Sequence, residues 1–260
     1  MSIHHLTNLR RLAITGSIVA AGVVFYNRAT IVEHVFGQAD NYQTTPKLKD
    51  KIDQTEQQQL ASLSYAGQQT QTVNNGQPEF TKEELKSGQK AGQKLFHLDL
   101  LGRPQTANAM LNKSLMPTQK REALTVKTPG YKVYRFSDNG RQNYLYNRSH
   151  LIGFQLTGLN NDRRNLVTGT VAMNATHASD NQQSMEDYEN EIAHYLRADE
   201  SHYVRYRVTP LYRNFERVPR GVQMEAASIT DATVRFNVYV FNAQPGWQLN
   251  YYTGTAIQTN

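Results

Sequence analysis

Cysteine is absent from the chain. That excludes disulfides and any thiolate metal site. It fits the cytoplasm, and also export in organisms that do not rely on disulfides. The chain also has no apolar run of the ~20 residues that a spanning helix takes. Its apolar stretch at residues 12–26 is shorter than that. Net negative charge is missing too: Lys and Arg number 28 against 22 Asp and Glu, for a net charge of +6. A basic surface attracts nucleic acid or anionic lipid, and it equally describes a soluble basic protein. No internal repeat of solenoid period is present. What the chain does have is 15 tyrosines and 9 phenylalanines, ample for a packed core. Its 260 residues allow one large or two small domains.

Residues 1–39 differ from the rest. Arg10 and Arg11 precede the uncharged residues 12–26, a positive n-region followed by a hydrophobic stretch. The nearest small-x-small site, Gly37-Gln38-Ala39, lies beyond Arg28 and Glu33. Two readings stand, an uncleaved signal anchor or a signal peptide. Both keep the arginines inside and export the remainder. Residues 40–59 are polar and glutamine-rich and read as a tether or loosely helical stalk. The folded domain is expected over 60–260, with Leu60, Leu63 and Tyr65 as its first apolar anchors.

Thr81 with Glu84 is a capping-box pattern that predicts a helix, weakened by Gly88 and Gly92. Leu98, Leu100 and Leu101 read as an apolar segment entering a turn, and residues 107–115 as buried helix or loop. Residues 131–136 alternate apolar and basic, a half-buried strand, and Asp138-Asn139-Gly140 is a strong turn signal. A strand then delivers residues 147–150, and a β-branched run at 166–173 predicts another, with Asn174 where it gives out. Ser184 caps the next helix, with Asp187 in its first turn. Alternating runs at 203–212, 222–229 and 234–241 read as an antiparallel meander.

Between Tyr146 and Glu189 the chain carries a histidine, arginines, asparagines and carboxylates suited to phosphodiester hydrolysis. A histidine can deprotonate water near neutral pH. A hard cation takes oxygen ligands and keeps several waters, so an asparagine oxygen with a nearby carboxylate suits magnesium. An arginine fork suits phosphate. Each residue alone also has a plain role. A histidine after a strand can be structural, asparagines serve turns and caps, and Arg163 and Arg164 can form a solvated loop. On a helix over 185–196, Met185, Tyr188, Ile192, Tyr195 and Leu196 share one face. Glu189 falls at the edge of that stripe, whereas Glu186 points to solvent. A carboxylate turned inward needs an ion pair or a cation.

The run Asn147-Arg148-Ser149-His150-Leu151-Ile152-Gly153, followed by Asn165-Leu166-Val167-Thr168-Gly169-Thr170 and Met173-Asn174, resembles the DNA/RNA non-specific endonucleases. This is the ββα-metal family related to the Serratia nuclease. The nearest branch looks like the exported and membrane-bound nucleases of streptococci and lactobacilli, DNA-entry nucleases included. The likeness continues in Tyr206-Arg207-Val208-Thr209-Pro210, Arg220-Gly221-Val222-Gln223-Met224-Glu225-Ala226 and Asn242-Ala243-Gln244-Pro245-Gly246. It implies an α+β fold with a central antiparallel β-sheet, a ββα-metal finger and flanking helices. It implies His150 as the general base, Asn174 as the magnesium ligand and Asn165 as an active-site asparagine. Arg148 would contact the substrate phosphate, with Arg163 and Arg164 as further substrate contacts. Glu189 would lie near the hydrated metal, Glu186 being the second choice. Where the wider family often reads Asp-Arg-Gly-His, this chain has Asn147 and Ser149, so no role needing a charge at Asn147 carries over.

The expectation is therefore a membrane-anchored or secreted endonuclease. It would cleave DNA, and RNA as well, with little sequence preference, using one Mg2+ for which Mn2+ can substitute. The resemblance implies 5′-phosphorylated products. The rival readings are a non-catalytic nucleic-acid receptor in an uptake apparatus and a structural surface protein. The sequence names no inhibitor partner.

Overall fold

The computed structural model describes residues 46–138, 140–175 and 183–259. The expected signal or anchor and the start of the stalk lie outside the described residues. In chain order the first elements are helix α1 (Pro46–Ser62) and strands β1 (Thr70–Thr72), β2 (Gly92–Leu95), β3 (Ala107–Asn112), β4 (Arg135–Asp138), β5 (Arg141–Tyr144) and β6 (Tyr146–His150). Then come α2 (Phe154–Thr157), β7 (Leu166–Thr170), α3 (Val171–Ala175) and α4 (Met185–Ala198). The chain continues through β8 (Tyr203–Leu211), β9 (Gly221–Ser228), β10 (Arg235–Phe241), β11 (Trp247–Leu249) and β12 (Ala256–Gln258).

Six strands form one antiparallel sheet in the order β1-β10-β9-β8-β3-β2. The expected meander β8–β9–β10 is its centre. Pairing Ala109 with Tyr206, Tyr206 with Ala226 and Ala226 with Phe236 aligns their side chains on one face. That face packs on α4 and on the β6–β7 finger through Leu111, Val208, Met224, Ile192, Leu151 and Met173, all buried. Fully burying one such side chain contributes about 1.5–3 kcal/mol. The expected α+β architecture with a central antiparallel sheet and flanking helices is therefore the one observed. A smaller cluster on the opposite face gathers Leu60 and Ala61 of α1 with Val73, Tyr239 and Phe241.

Three local expectations are corrected. Thr81 and Glu84 make the reciprocal capping bonds, at 2.9 and 3.1 Å, yet only turns follow. Gly88 adopts φ +79°, which stops propagation, and Glu84 is drawn into ion pairs with Arg205 and Arg207. Residues 107–112 form strand β3 inside the sheet, not a helix or loop. The β-branched run ends as a strand at Thr170, because the Thr170 hydroxyl accepts the Met173 N–H at 3.1 Å and starts α3. Leu100 and Leu101 sit on an exposed turn that Asp99 closes by accepting the Leu101 and Arg103 N–H groups.

Candidate active site

The finger is built from β6, β7 and α3. Tyr146 pairs with Thr170 and His150 with Leu166, so the hairpin is short and in register along its whole length. It is a two-stranded sheet of its own. Gly169 sits opposite Asn147. A Cβ there would stand 2.3 Å from Ser149 Oγ and 2.4 Å from Met173 Cε. The Ser149 side chain thus occupies room that Gly169 leaves open.

His150 lies at the end of β6 and is 7% exposed. Its Nε2 is 2.7 Å from the Asn160 backbone oxygen. A carbonyl only accepts, so Nε2 carries the proton and Nδ1 keeps its lone pair. Burial pushes the imidazole pKa down to about 4. The Asn160 bond opposes this, and the charge of Arg121 adds to the fall. The ring is therefore neutral at physiological pH.

Asn165 is fully buried, and its amide is spent on one residue. Its Oδ1 accepts the Ile152 N–H at 3.0 Å, its Nδ2 donates to the Ile152 carbonyl at 2.9 Å, and its own carbonyl accepts the Leu151 N–H at 2.9 Å. The side chain thus clamps the segment that follows His150.

Glu189 is 7% exposed on the inner face of α4. The helix begins at Ser184, whose N–H donates to Asp187 Oδ2 at 2.7 Å. Glu189 Oε1 accepts the Gly153 N–H at 2.7 Å and lies 3.5 Å from the Tyr206 hydroxyl. Burial pushes its pKa up to about 8. The Gly153 bond opposes the rise, Glu186 adds to it, and Tyr206 and Arg121 pull it down. Among the described residues Glu189 makes no ion pair. Glu186 is half-buried on the first turn of the helix.

Arg148 and Asn174 line one open cleft of about 550 Å³, together with Arg121, Tyr131, Tyr146 and Asn147. Arg148 Nε donates to the Val126 carbonyl at 2.6 Å, and its guanidinium carbon stands 4.4 Å from the Tyr131 ring centre. Those contacts orient the fork. Asn174 is half-buried on α3. Arg121, which no pattern in the sequence singled out, lines this cleft and acts electrostatically on both His150 and Glu189. His150 and Glu189 are not among the residues that line the cleft itself.

Arg163 and Arg164 are exposed and do not line the cleft. The Arg164 fork is held by Asp162, at 2.6 Å between Nη2 and Oδ2. Asp162 also caps the turn by accepting the Arg164 N–H at 2.8 Å. The expected pair of substrate arginines is not brought to the cleft that holds Arg148.

The chemistry of the donors suits a hard, hydrated cation. They are an amide oxygen and a buried carboxylate that lacks an ion-pair partner among the described residues. No group of three or more His, Asp or Glu that could hold a metal ion gathers among the described residues.

Solved structures share this architecture. NucA from Streptococcus agalactiae with magnesium bound is 26% identical, with a TM-score of 0.67 over 81% of this chain and 96% of that one. The same nuclease with no metal bound matches with a TM-score of 0.63 at 26% identity, over 85% and 100%. The Sda1 nuclease with a bound zinc ion shares the fold at 22% identity and a TM-score of 0.61, over 75% and 100%. A sequence profile described as DNA/RNA non-specific endonuclease matches residues 84–230, the span that holds every site residue named above. The chain belongs to the DNA/RNA non-specific endonuclease family.

Proposed function

We propose that the protein is an endonuclease that hydrolyses phosphodiester bonds of DNA, and of RNA, with little sequence preference, using His150 as general base and a single hydrated Mg2+. The observation that carries this reading is the His150 ring. Its Nε2 proton is committed to the Asn160 carbonyl at 2.7 Å, and burial keeps the ring neutral. Nδ1 is then the acceptor that takes a proton from water. The Arg148 fork, braced by Val126 and Tyr131, binds a nonbridging phosphate oxygen. Arg121 adds positive charge to the same cleft.

Asn174 would hold the cation through Oδ1, and Glu189 through an intervening water. When bound, the ion neutralises charge on the phosphate and assists the leaving oxygen. Asn165 orients rather than reacts, since its amide is occupied by Ile152. Contacts centred on phosphate read no base, which supports broad specificity. Residues 12–26 behind Arg10 and Arg11 support export, as an anchor or as a cleaved signal.

The test is digestion of plasmid DNA and single-stranded RNA with Mg2+ by wild type, His150→Ala and Asn174→Ala, with end-group analysis for 5′-phosphates. Loss of cleavage in both variants with retained folding is expected. Equal digestion by His150→Ala and wild type sinks the mechanism. Binding without cleavage by the wild type would instead favour a receptor.

A further inference from the structure

Helix α3 has five residues, too few to hold its own orientation in isolation. Its hairpin is not hydrogen-bonded as a strand into the six-stranded sheet. Something else must fix the direction in which Asn174 points. Asn242, one residue beyond β10 and 0% exposed, stands at that junction. Its Oδ1 accepts the Thr170 N–H at 2.8 Å, and its Nδ2 donates to the Thr168 and Pro219 carbonyls, each at 2.9 Å. Its backbone N–H donates to Arg220 and its carbonyl accepts the Tyr251 hydroxyl, at 2.9 and 2.8 Å.

The next two residues continue the attachment. The Thr170 hydroxyl donates to the Ala243 carbonyl at 2.8 Å, and Gln244 Oε1 accepts the Ala172 N–H at 3.1 Å. The Met173 N–H reaches Thr170 Oγ1 at 3.1 Å, and the Val171 N–H reaches the Leu145 carbonyl at 2.9 Å. The N–H groups of Val171, Ala172 and Met173, which a helix start leaves without intrahelical partners, thus all have acceptors outside the helix. Two of those acceptors, Thr170 and Gln244, belong to the set tied to residues 242–244.

From this we infer that Asn242, Thr170 and Gln244 are positioning residues for the cation site: they bolt the Asn174 helix to the central sheet and set the aim of the Asn174 amide. The inference rests on the reading of Asn174 as the ligand. It gives a role to the Asn242-Ala243-Gln244 motif.

The experiment uses the full chain and Mn2+ as the probe, counted by the electron paramagnetic resonance signal of the free ion. It is paired with a Mg2+ titration of DNA cleavage. Thr170→Val removes both hydroxyl bonds at constant shape, and Thr170→Ser keeps them. Gln244→Ala removes the acceptor, and Gln244→Glu keeps one. Asn242→Asp keeps Oδ1 but turns an oxygen on two carbonyls. Thr170→Val and Gln244→Ala are expected to weaken Mn2+ binding about tenfold or more. Half-saturating Mg2+ should rise in parallel, while KM for DNA at saturating Mg2+ stays near wild type. Thr170→Ser and Gln244→Glu should restore Mn2+ binding.

A role in folding alone would lower the melting temperature and leave Mn2+ affinity unchanged, and that outcome overturns the inference. If Asn174→Ala binds Mn2+ as wild type does, the ligand assignment itself has failed and this inference falls with it. If Asn174→Ala loses Mn2+ while Thr170→Val does not, only the positioning role is refuted. The Thr170 pair decides the matter even if Asn242→Asp does not fold.

Discussion

The backbone N–H of Gly153 donates to Glu189 Oε1 at 2.7 Å, and a Cβ on Gly153 would stand 2.1 Å from Glu189 Oε2. The carboxylate lies flat against the glycine, three residues after His150. Gly153→Ala should therefore push Glu189 off its seat. The expected cost is about 1–3 kcal/mol of stability, as for an overpacked core, together with most of the cleavage activity. The strain needs the carboxylate, so it should vanish when the carboxylate is gone. Urea unfolding of Gly153→Ala, Glu189→Ala and the double variant checks this. Additive costs would show that the two residues do not press on one another.

His150 gives a pH prediction. Its folded-state pKa is lowered from the ordinary histidine value of ~6.5 to about 4 by burial, with Arg121 contributing in the same direction. The ring therefore stays neutral as pH falls through its ordinary range. The acid limb of kcat/KM, measured at saturating Mg2+, should lie well below the usual ~6.5. Arg121→Ala should move that limb upward. Stability follows the same sign: the unfolded chain takes up the proton first, so stability is present above the ordinary pKa and is lost as pH falls toward the folded value. His150→Ala should lack that loss. An acid limb at or above the ordinary histidine value would refute the buried neutral base.

Much of this site was legible because its signals are local and periodic. Strands β8, β9 and β10 alternate apolar and polar residues, and a helical period placed Glu189 rather than Glu186 toward the interior, where it is found. The rest depends on long-range partners. Asn165 reads like any polar site residue, and only the fold shows its amide closed on Ile152. Arg121 lies in a stretch without period or turn chemistry, so nothing tied it to a residue 29 positions later. Helix α3 hides inside a β-branched run because its start depends on the Thr170 hydroxyl and on Gln244. The Thr81–Glu84 box shows the reverse case, a correct local signal whose glutamate is claimed by Arg205 and Arg207.

The arginines separate by what they already hold. Arg148 is braced through Nε and stacked on Tyr131 beside the cleft, whereas the Arg164 fork is closed on Asp162 in solvent. Arg148→Ala should lower kcat/KM at least tenfold, by about 1.5–3 kcal/mol of charge-assisted hydrogen bonding. Arg148→Lys should recover little, since an ammonium cannot keep both the Val126 bond and the fork. Arg164→Ala should leave cleavage nearly unchanged. Steady-state kinetics on duplex DNA checks all three. A large loss in Arg164→Ala would mean that the Asp162 pair opens to bind substrate.

The opposite face of the sheet makes a prediction about stability without chemistry. Strand β8 sends Tyr206 toward Glu189 and its neighbours Arg205 and Arg207 to the other side. There Glu225, 3% exposed, is gripped by Arg207 at 2.7 Å and accepts the Glu79 N–H at 2.7 Å. Removing Glu225 takes the shorter of the two carboxylate contacts from Arg207, leaving Glu84 at 3.4 Å, and costs about 1–3 kcal/mol. Glu225→Leu should therefore shift the urea midpoint strongly while kcat per folded molecule holds. Replacing both partners by apolar residues of similar volume, Arg207→Met with Glu225→Leu, should recover much of the loss, because the desolvation cost of both ions is then removed as well. If the double variant were as unstable as Glu225→Leu, the Glu79 bond and the Phe80 ring, 4.7 Å from the Arg207 guanidinium, would be the larger contributors. If kcat fell in step with stability, the two faces of β8 would be coupled, and Tyr206 would be the residue through which the coupling runs.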